Sequence, residues 1–190
     1  LLSRRQRQMC IRDSIRTVPE LLRDCAETMY QRVKNTLEDE KLEQTQMVVM
    51  TGCGYSYAAA CNGAEFIEKT AGIPARTLYS VDASRHQSLD VLPKGEQTLF
   101  IGVSGSGVVA RVAEGLMRFR TKGAYAVAFS GDMQSKCARA AQVTVDISTP
   151  TVNIERGLPL RGYAATLLAF CGVAVSYTHL RAHETLRHLV

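Results

Sequence analysis

The chain has 190 residues, of which 46% are hydrophobic and 22% are charged. This length suits one domain that buries a core of ordinary size. The formal net charge of +5 would favour a nucleic-acid or anionic-membrane partner only if the folded domain carried that charge.

The two chain ends do not resemble natural protein. Residues 1–14 and 175–190 resemble translated sequencing-library adapters, so we expect both flanks to be non-native; the alternative is a genuine basic arm and helical tail. The flanks hold six basic and two acidic residues, which leaves 17 basic against 16 acidic residues in 15–174. This near-neutral domain also lacks a run of 18 apolar residues. We therefore expect no nucleic-acid partner and no membrane span.

Five cysteines lie between residues 15 and 174. Their number is odd, they form no C-x-x-C pair, and no secretory signal accompanies them. This pattern favours a reducing cytoplasm, with the cysteines as small buried residues and no metal site. The five are Cys25, Cys53, Cys61, Cys137 and Cys171.

The amino-terminal part of the domain is predicted to be an amphipathic helix. Thr17 to Glu20 has the form of a capping box, and Pro19 suits the first turn. Apolar residues follow at helical spacing, at positions 22, 25, 29, 33 and 37. The charged residues 38–43 are interpreted as a solvated connection.

From residue 47 onward the pattern alternates between strand and helix. The predicted strands are 47–51, 76–79, 98–103, 125–129 and 143–147, and the predicted helices are 58–71, 109–121, 134–141 and 160–174. Strands joined by helices are typical of right-handed crossovers. The predicted fold is therefore α/β, a three-layer α-β-α sandwich with a five-stranded parallel sheet, similar to flavodoxin-like and Rossmann-like domains.

Two predicted strands end in turns rich in glycine and serine. The first strand enters Gly52-Cys-Gly-Tyr-Ser-Tyr57, and the third enters Ser104-Gly-Ser-Gly107. Glycine lets the backbone approach a ligand, serine adds hydroxyl donors, and a following helix offers free N–H groups to an anion. Because ligands of such sheets lie at the carboxyl ends of the strands, the two turns predict a phosphate site.

A nucleotide cofactor is disfavoured. The first turn begins like a dinucleotide fingerprint, but Tyr57 stands where the third glycine is needed, and neither turn carries the lysine of a Walker loop. Asp82, near the end of the second strand, keeps a nucleotide-binding Rossmann unit open as a weaker alternative. We expect no cofactor.

Together with Ala71-Gly-Ile-Pro74, the two turns resemble, in this order, the sugar isomerase (SIS) family of phosphosugar-binding domains. The likeness covers nearly all of residues 15–174 and is greatest to the isomerase half of glucosamine-6-phosphate synthases and to sugar-amine deglycases. It implies a phosphosugar ligand. The residues that it assigns to this ligand are Gly54, Tyr55, Ser56, Ser104, Gly105, Ser106 and Gly107.

The chain departs from the family pattern after the second turn. Val108 and Val109 stand where relatives carry a polar pair that also holds phosphate, so one hydroxyl donor is missing. Losing one such bond costs about 0.5–3 kcal/mol, which weakens binding without abolishing the site. Arg111 would compensate by pairing directly with the ligand, or it is a solvated arginine.

The resemblance also implies two catalytic candidates. Glu155 follows the fifth strand, where relatives place a glutamate near the sugar carbons, and a buried carboxylate there would serve as a base. The alternative is a loop carboxylate paired with Arg156 or Arg161. His86, the only histidine outside the flanks, is either a proton shuttle at the edge of the site or an exposed structural residue.

The aromatic and thiol groups of the first turn are open to more than one interpretation. Tyr55 and Tyr57 either stack on a sugar ring or pack against the helix. Cys53 is interpreted as a packing residue, since no histidine near it in sequence would activate it as a nucleophile.

The resemblance predicts a cytoplasmic homodimer. Residues 15–174 would be the amino-terminal SIS half of an aldose–ketose isomerase, of an enzyme like glutamine:fructose-6-phosphate aminotransferase, or of a deglycase. Relatives continue into a second SIS domain, so we expect this chain to bind its ligand without turnover. The alternative is a non-catalytic module that senses a phosphosugar.

Overall fold

A computed structural model describes residues 11–150 and 160–187 of the protein, the last five of these by backbone alone. At its centre is a five-stranded parallel sheet with the strand order β2-β1-β3-β4-β5. The predicted sheet is thus confirmed. The strands are β1 (Met47–Gly52), β2 (Ala75–Tyr79), β3 (Thr98–Val103), β4 (Tyr125–Ser130) and β5 (Val143–Asp146).

Helices cover both faces of this sheet. Their bounds are α1 (Val18–Thr36), α2 (Asp39–Gln44), α3 (Tyr55–Ala71), α4 (Ala110–Thr121), α5 (Lys136–Ala140) and α6 (Leu160–Arg187). One face packs against α1, α3 and α6. The other packs against α4, α5 and a single π-helical turn at Asp82–His86.

Strand β3 shows why the sheet could be read from the sequence. All six of its residues are buried: Ile101 contacts the core on the α3 and α6 side, whereas Phe100 contacts the core on the α4 side. A strand with both faces covered is a continuous apolar run. Its register places Ile101 beside Met50 of β1 and Val127 of β4.

The capping box predicted at Thr17 is wrong. Thr17 has helical backbone angles, φ −82° and ψ −12°, and residues 11–16 before it are helical as well. Its hydroxyl donates to the Ser14 carbonyl (2.9 Å) instead of accepting from the following turn. A residue inside continuous helix has no free N–H groups beyond it to cap. The buried face also differs by one position, because Leu21 is buried and Leu22 is 38% exposed.

The solvated connection predicted at 38–43 is also wrong, since Asp39–Gln44 forms the short helix α2. Acidic residues fill its first turn, where they interact favourably with the helix dipole. Leu42 is buried in the main core and ties the helix to the domain.

Helix α6 crosses the predicted flank boundary at residue 175 without a break. Tyr177 is 2% exposed and lies in the same core cluster as Phe170, and burial raises its pKa. The proposed adapter origin of residues 175–190 concerns where the sequence came from and stays a prediction.

Among the described residues, Leu160–Ala182 of α6 is long and apolar enough to cross a membrane by length and composition. In this fold 56% of its most apolar 18-residue window is buried inside the protein. Core helices of proteins that do not span a membrane meet the same criterion.

Candidate functional site

The two glycine-rich turns meet where the direction of the chain across the sheet reverses. β1 and β3 are neighbours, β2 lies on the far side of β1, and β4 lies on the far side of β3. The helix after β1 covers one face, and the helix after β3 covers the other. This reversal opens a crevice at the carboxyl ends of β1 and β3, which is the usual ligand position in open parallel sheets.

The first turn, called here the β1 turn, consists of Cys53 and Gly54. Gly54 has φ +59°, which favours glycine. Helix α3 begins at Tyr55, three residues earlier than predicted, so Ser56 lies in its first turn and is 5% exposed. Within the part of the chain that the structure describes, the N–H groups of Gly54 and Tyr55 donate no hydrogen bond. Both remain available to a ligand.

The second turn, called here the β3 turn, comprises residues 104–109. The N–H of Ser104 donates to the Phe129 carbonyl (3.0 Å), and the side chain is 2% exposed. The Ser104 hydroxyl has no hydrogen-bond partner of good geometry among the described residues. Its polar neighbour is the Cys137 thiol, whose pKa is raised by burial and lowered by this hydroxyl. A buried hydroxyl without a good partner costs free energy unless a ligand supplies one.

The rest of the β3 turn offers backbone donors. Among the described residues, the N–H groups of Gly105, Ser106 and Val108 donate no hydrogen bond. Ser106 is exposed, and Val108 is 61% exposed. Three free N–H groups ahead of a 12-residue helix form an anion-binding arrangement.

The segment after β4 holds the β3 turn in place, and sequence reasoning did not find it. Gly131 N–H donates to the Gly105 carbonyl (2.9 Å), and Cys137 N–H donates to the Gly107 carbonyl (3.0 Å). Gly107 itself has φ +67° and packs so tightly that a Cβ there would lie 2.7 Å from Ser130 Oγ and closer still to Ser135. The Ser130-Gly131 pair directly after a strand was a signal, but it points to this site only once β4 is known to lie beside β3.

Tyr55 brings the two turns together. Its hydroxyl lies 3.1 Å from the position that a Cβ on Gly105 would occupy, and its side chain is 39% exposed. Tyr57, by contrast, packs edge to face on Tyr79, with ring centroids 5.2 Å apart. Cys53 is exposed, and its Sγ lies 3.3 Å from the Tyr79 hydroxyl; this contact raises the pKa of Tyr79.

The other predicted residues do not join these turns. His86 is exposed, and the carbonyls of Ala83 and Gln87 on either side of it accept from Arg118 in the second half of α4. This places His86 away from the crevice. Arg111 donates to Glu114 (2.6 Å). Glu155 lies outside the described residues.

Two arginines fix the chain where it leaves β5 and where it enters α6. Arg32 of α1 donates to the carbonyls of Asp146 (3.0 Å) and Ser148 (2.9 Å). It also lies 3.4 Å from the Asp146 carboxylate. Arg161 donates to the Pro150 carbonyl (3.2 Å).

Other parts of the described surface suit a phosphosugar-sized anion less well. A cavity of about 520 Å³ lies at the opposite edge of the sheet, where Leu92 and Phe119 form apolar walls and Lys94 and Lys122 stand at the rim. It lacks the convergent polar groups expected of a specific site. No group of three or more metal-ligating side chains is found in residues 11–150 and 160–182.

Comparison with known proteins agrees with this location. A family model described as "SIS domain" matches residues 41–173. Over 87 residues the chain is 36% identical to glutamine--fructose-6-phosphate aminotransferase [isomerizing] of Aquifex aeolicus, an alignment that covers 46% of this chain and 14% of that protein. The chain therefore matches a small part of this curated relative.

Solved structures share the fold. The C-terminal domain of glucosamine-fructose-6-phosphate aminotransferase from Francisella tularensis has a TM-score of 0.66 and 17% identity, over 87% of this chain and 48% of that one. A protein of Escherichia coli CFT073, solved in complex with a phosphosugar, has a TM-score of 0.68 and 21% identity, over 90% of this chain and 87% of that one. The NanR protein of Vibrio vulnificus, complexed with ManNAc-6P, has a TM-score of 0.58 and 18% identity, over 92% of this chain and 63% of that one.

Proposed function

Because this chain belongs to the SIS domain family, whose model matches residues 41–173, we propose that it binds a phosphorylated sugar or amino sugar at the crevice between β1 and β3. The observation that carries the proposal is the pair of turns with unused donors. The buried Ser104 hydroxyl lacks a good partner, and five backbone N–H groups at the two turns donate no bond within the described chain. The phosphosugar complexes of the Escherichia coli and Vibrio vulnificus relatives support a sugar phosphate as the ligand.

In this proposal the phosphate lies against the β3 turn. Ser104 and Ser106 donate hydroxyl bonds, and the N–H groups of Gly105, Ser106 and Val108 donate from the backbone. Ser56, in the first turn of α3, faces the sugar or its phosphate. The positive ends of the α3 and α4 dipoles add to the attraction. Arg111 is paired with Glu114, so neutral donors carry most of the binding.

The proposed parent activity is isomerisation, amination or deglycation of the bound sugar. These reactions need a base near a carbon-bound proton, and Glu155 is the candidate because it lies between β5 and α6. The placement of His86 away from the crevice favours Glu155 over it. We further propose that the parent protein is a cytoplasmic homodimer that requires no cofactor.

Isothermal titration calorimetry tests the binding proposal. Fructose 6-phosphate, glucosamine 6-phosphate, inorganic phosphate and NAD are each titrated into the 190-residue chain. We expect the phosphosugars to bind and NAD not to bind. Ser104→Ala weakens sugar-phosphate binding about tenfold or more, since it removes a bond to a charged group, whereas Ser88→Ala in an exposed loop leaves binding unchanged.

Two results would contradict the proposal. One is binding of NAD without binding of either sugar phosphate, which would favour a nucleotide-binding unit. The other is equal sugar-phosphate affinity for Ser104→Ala and Ser88→Ala. Turnover by the uninterrupted gene product separates an enzyme from a sensor.

A further inference from the structure

Tyr55 occupies a slot between two glycines. A Cβ added to Gly105 would meet the Tyr55 hydroxyl at 3.1 Å, and a Cβ added to Gly162 of α6 would meet the same side chain at 3.7–3.8 Å. Apart from the neighbouring backbone of each glycine, no other atom of the described residues lies within 4 Å of either position. The absence of a side chain on both sides thus leaves room for one phenol ring, which starts on the β1 turn side and ends beside the β3 turn.

The Tyr55 hydroxyl is unused within the described protein. No hydrogen bond to it is formed by residues 11–150 or 160–182, although its ring is only 39% exposed. It ends beside Gly105, whose own N–H donates no bond within the same residues. An anion bound by that N–H would therefore lie within reach of the phenol group.

The β3 turn has a place for such a donor. Val108 and Val109 supply no hydroxyl after the turn. We propose that the phenol hydroxyl of Tyr55 donates to the phosphate group held by the β3 turn and so replaces a donor that these valines lack. This inference rests on the proposed phosphosugar function. It adds that recognition of the phosphate monoester joins α3 to the β3 turn through one tyrosine.

The packing explains why a tyrosine suits this role. Its ring is confined between two backbone segments, so little side-chain freedom remains to be lost when a ligand binds. The hydroxyl is therefore held in place before the ligand arrives. A longer flexible donor at residue 55 would lose more entropy on binding.

Tyr55→Phe tests the inference, and Tyr57→Phe is the matched control on the same helix. Calorimetry with inorganic phosphate and with glucosamine 6-phosphate measures affinity. We expect Tyr55→Phe to weaken both ligands about tenfold, because it removes one hydrogen bond to a charged group, with an unchanged urea midpoint. Tyr57→Phe changes neither affinity.

Each other outcome has a distinct meaning. If Tyr55→Phe weakens only the sugar phosphate, the hydroxyl contacts the sugar and the inference is wrong. Unchanged or tighter binding of both ligands would show that Tyr55 merely covers the turn, and would also overturn it. If the unaltered protein binds neither ligand, the proposed function itself fails.

A double-mutant cycle with Gly105→Ala checks the geometry. In the unaltered protein the new Cβ displaces the Tyr55 hydroxyl and weakens phosphate binding. In the Tyr55→Phe background this contact no longer exists, so Gly105→Ala costs roughly threefold less affinity or better, the size of coupling expected of residues in contact. An equal loss in both backgrounds would show that the alanine does not act through Tyr55.

Discussion

Gly107 is the position where the β3 turn depends most on the absence of a side chain. Gly107→Ala forces a left-handed backbone, φ +67°, on a residue with a Cβ, at a cost of about 1–2 kcal/mol. The new Cβ would also lie 2.7 Å from Ser130 Oγ and press on Ser135. Overpacking of this kind costs about 1–3 kcal/mol. We therefore expect the free energy of unfolding to fall by roughly 2–5 kcal/mol.

Gly54→Ala separates the two contributions. Gly54 has a similar φ of +59°, but no atom of the described residues lies within 4 Å of its would-be Cβ. This variant carries the backbone cost alone, about 1–2 kcal/mol. The difference between the two variants, about 1–3 kcal/mol, measures the packing of the β3 turn against the segment after β4.

Urea unfolding followed by circular dichroism measures both variants. For a chain of this size each kcal/mol lowers Tm by about 2–4 °C, so thermal melts give a second readout. Gly107→Ala should also weaken phosphate binding, because the displaced turn no longer presents its N–H groups. Equal urea midpoints for Gly107→Ala and Gly54→Ala would refute the packing argument.

Three further variants test other features of the structure. Ser104→Ala should leave the urea midpoint unchanged or raise it, because the buried hydroxyl lacks a good partner among the described residues; a loss of about 2 kcal/mol or more would mean that the hydroxyl is satisfied. Arg32→Ala should lower the free energy of unfolding by about 1–2 kcal/mol, and Arg23→Ala on the exposed face of the same helix should have no effect; equal urea midpoints would count against the arginine clamp. Burial raises the pKa of Cys137 and Cys171, so the unfolded thiols ionise first and stability falls as pH rises past the ordinary value of 9.0. Cys137→Ala should lose less stability than the unaltered chain as the pH rises from about 8 to about 10, and an equal loss would exclude this thiol as a cause.

The strands and turns could be predicted because their signals are local. A strand buried on both faces, such as Thr98–Val103, is an unbroken apolar run, and its predicted bounds match the structure. Glycine after such a run indicates a turn, since few other residues adopt a positive φ. The β1 and β3 turns were found in this way.

Features that depend on a single contact were missed or misplaced. Helix α2 forms in a charged segment because one leucine, Leu42, reaches the core. Periodicity alone did not distinguish Leu21 from Leu22 as the buried residue of α1. The support of the β3 turn by the segment after β4 requires the strand order, and the position of His86 requires the contacts of Arg118. Neither can be read from spacing along the chain.

The crevice presents more main-chain donors than side-chain donors, and this affects how its sequence can vary. Main-chain N–H groups belong to every residue except proline, so the ligand contacts depend on the path of the chain more than on residue identity. Ser106→Thr or Val108→Ile preserves these donors, whereas Ser106→Pro removes one. Homologues could therefore diverge widely around the crevice and keep its chemistry, as long as the glycines that set the path persist.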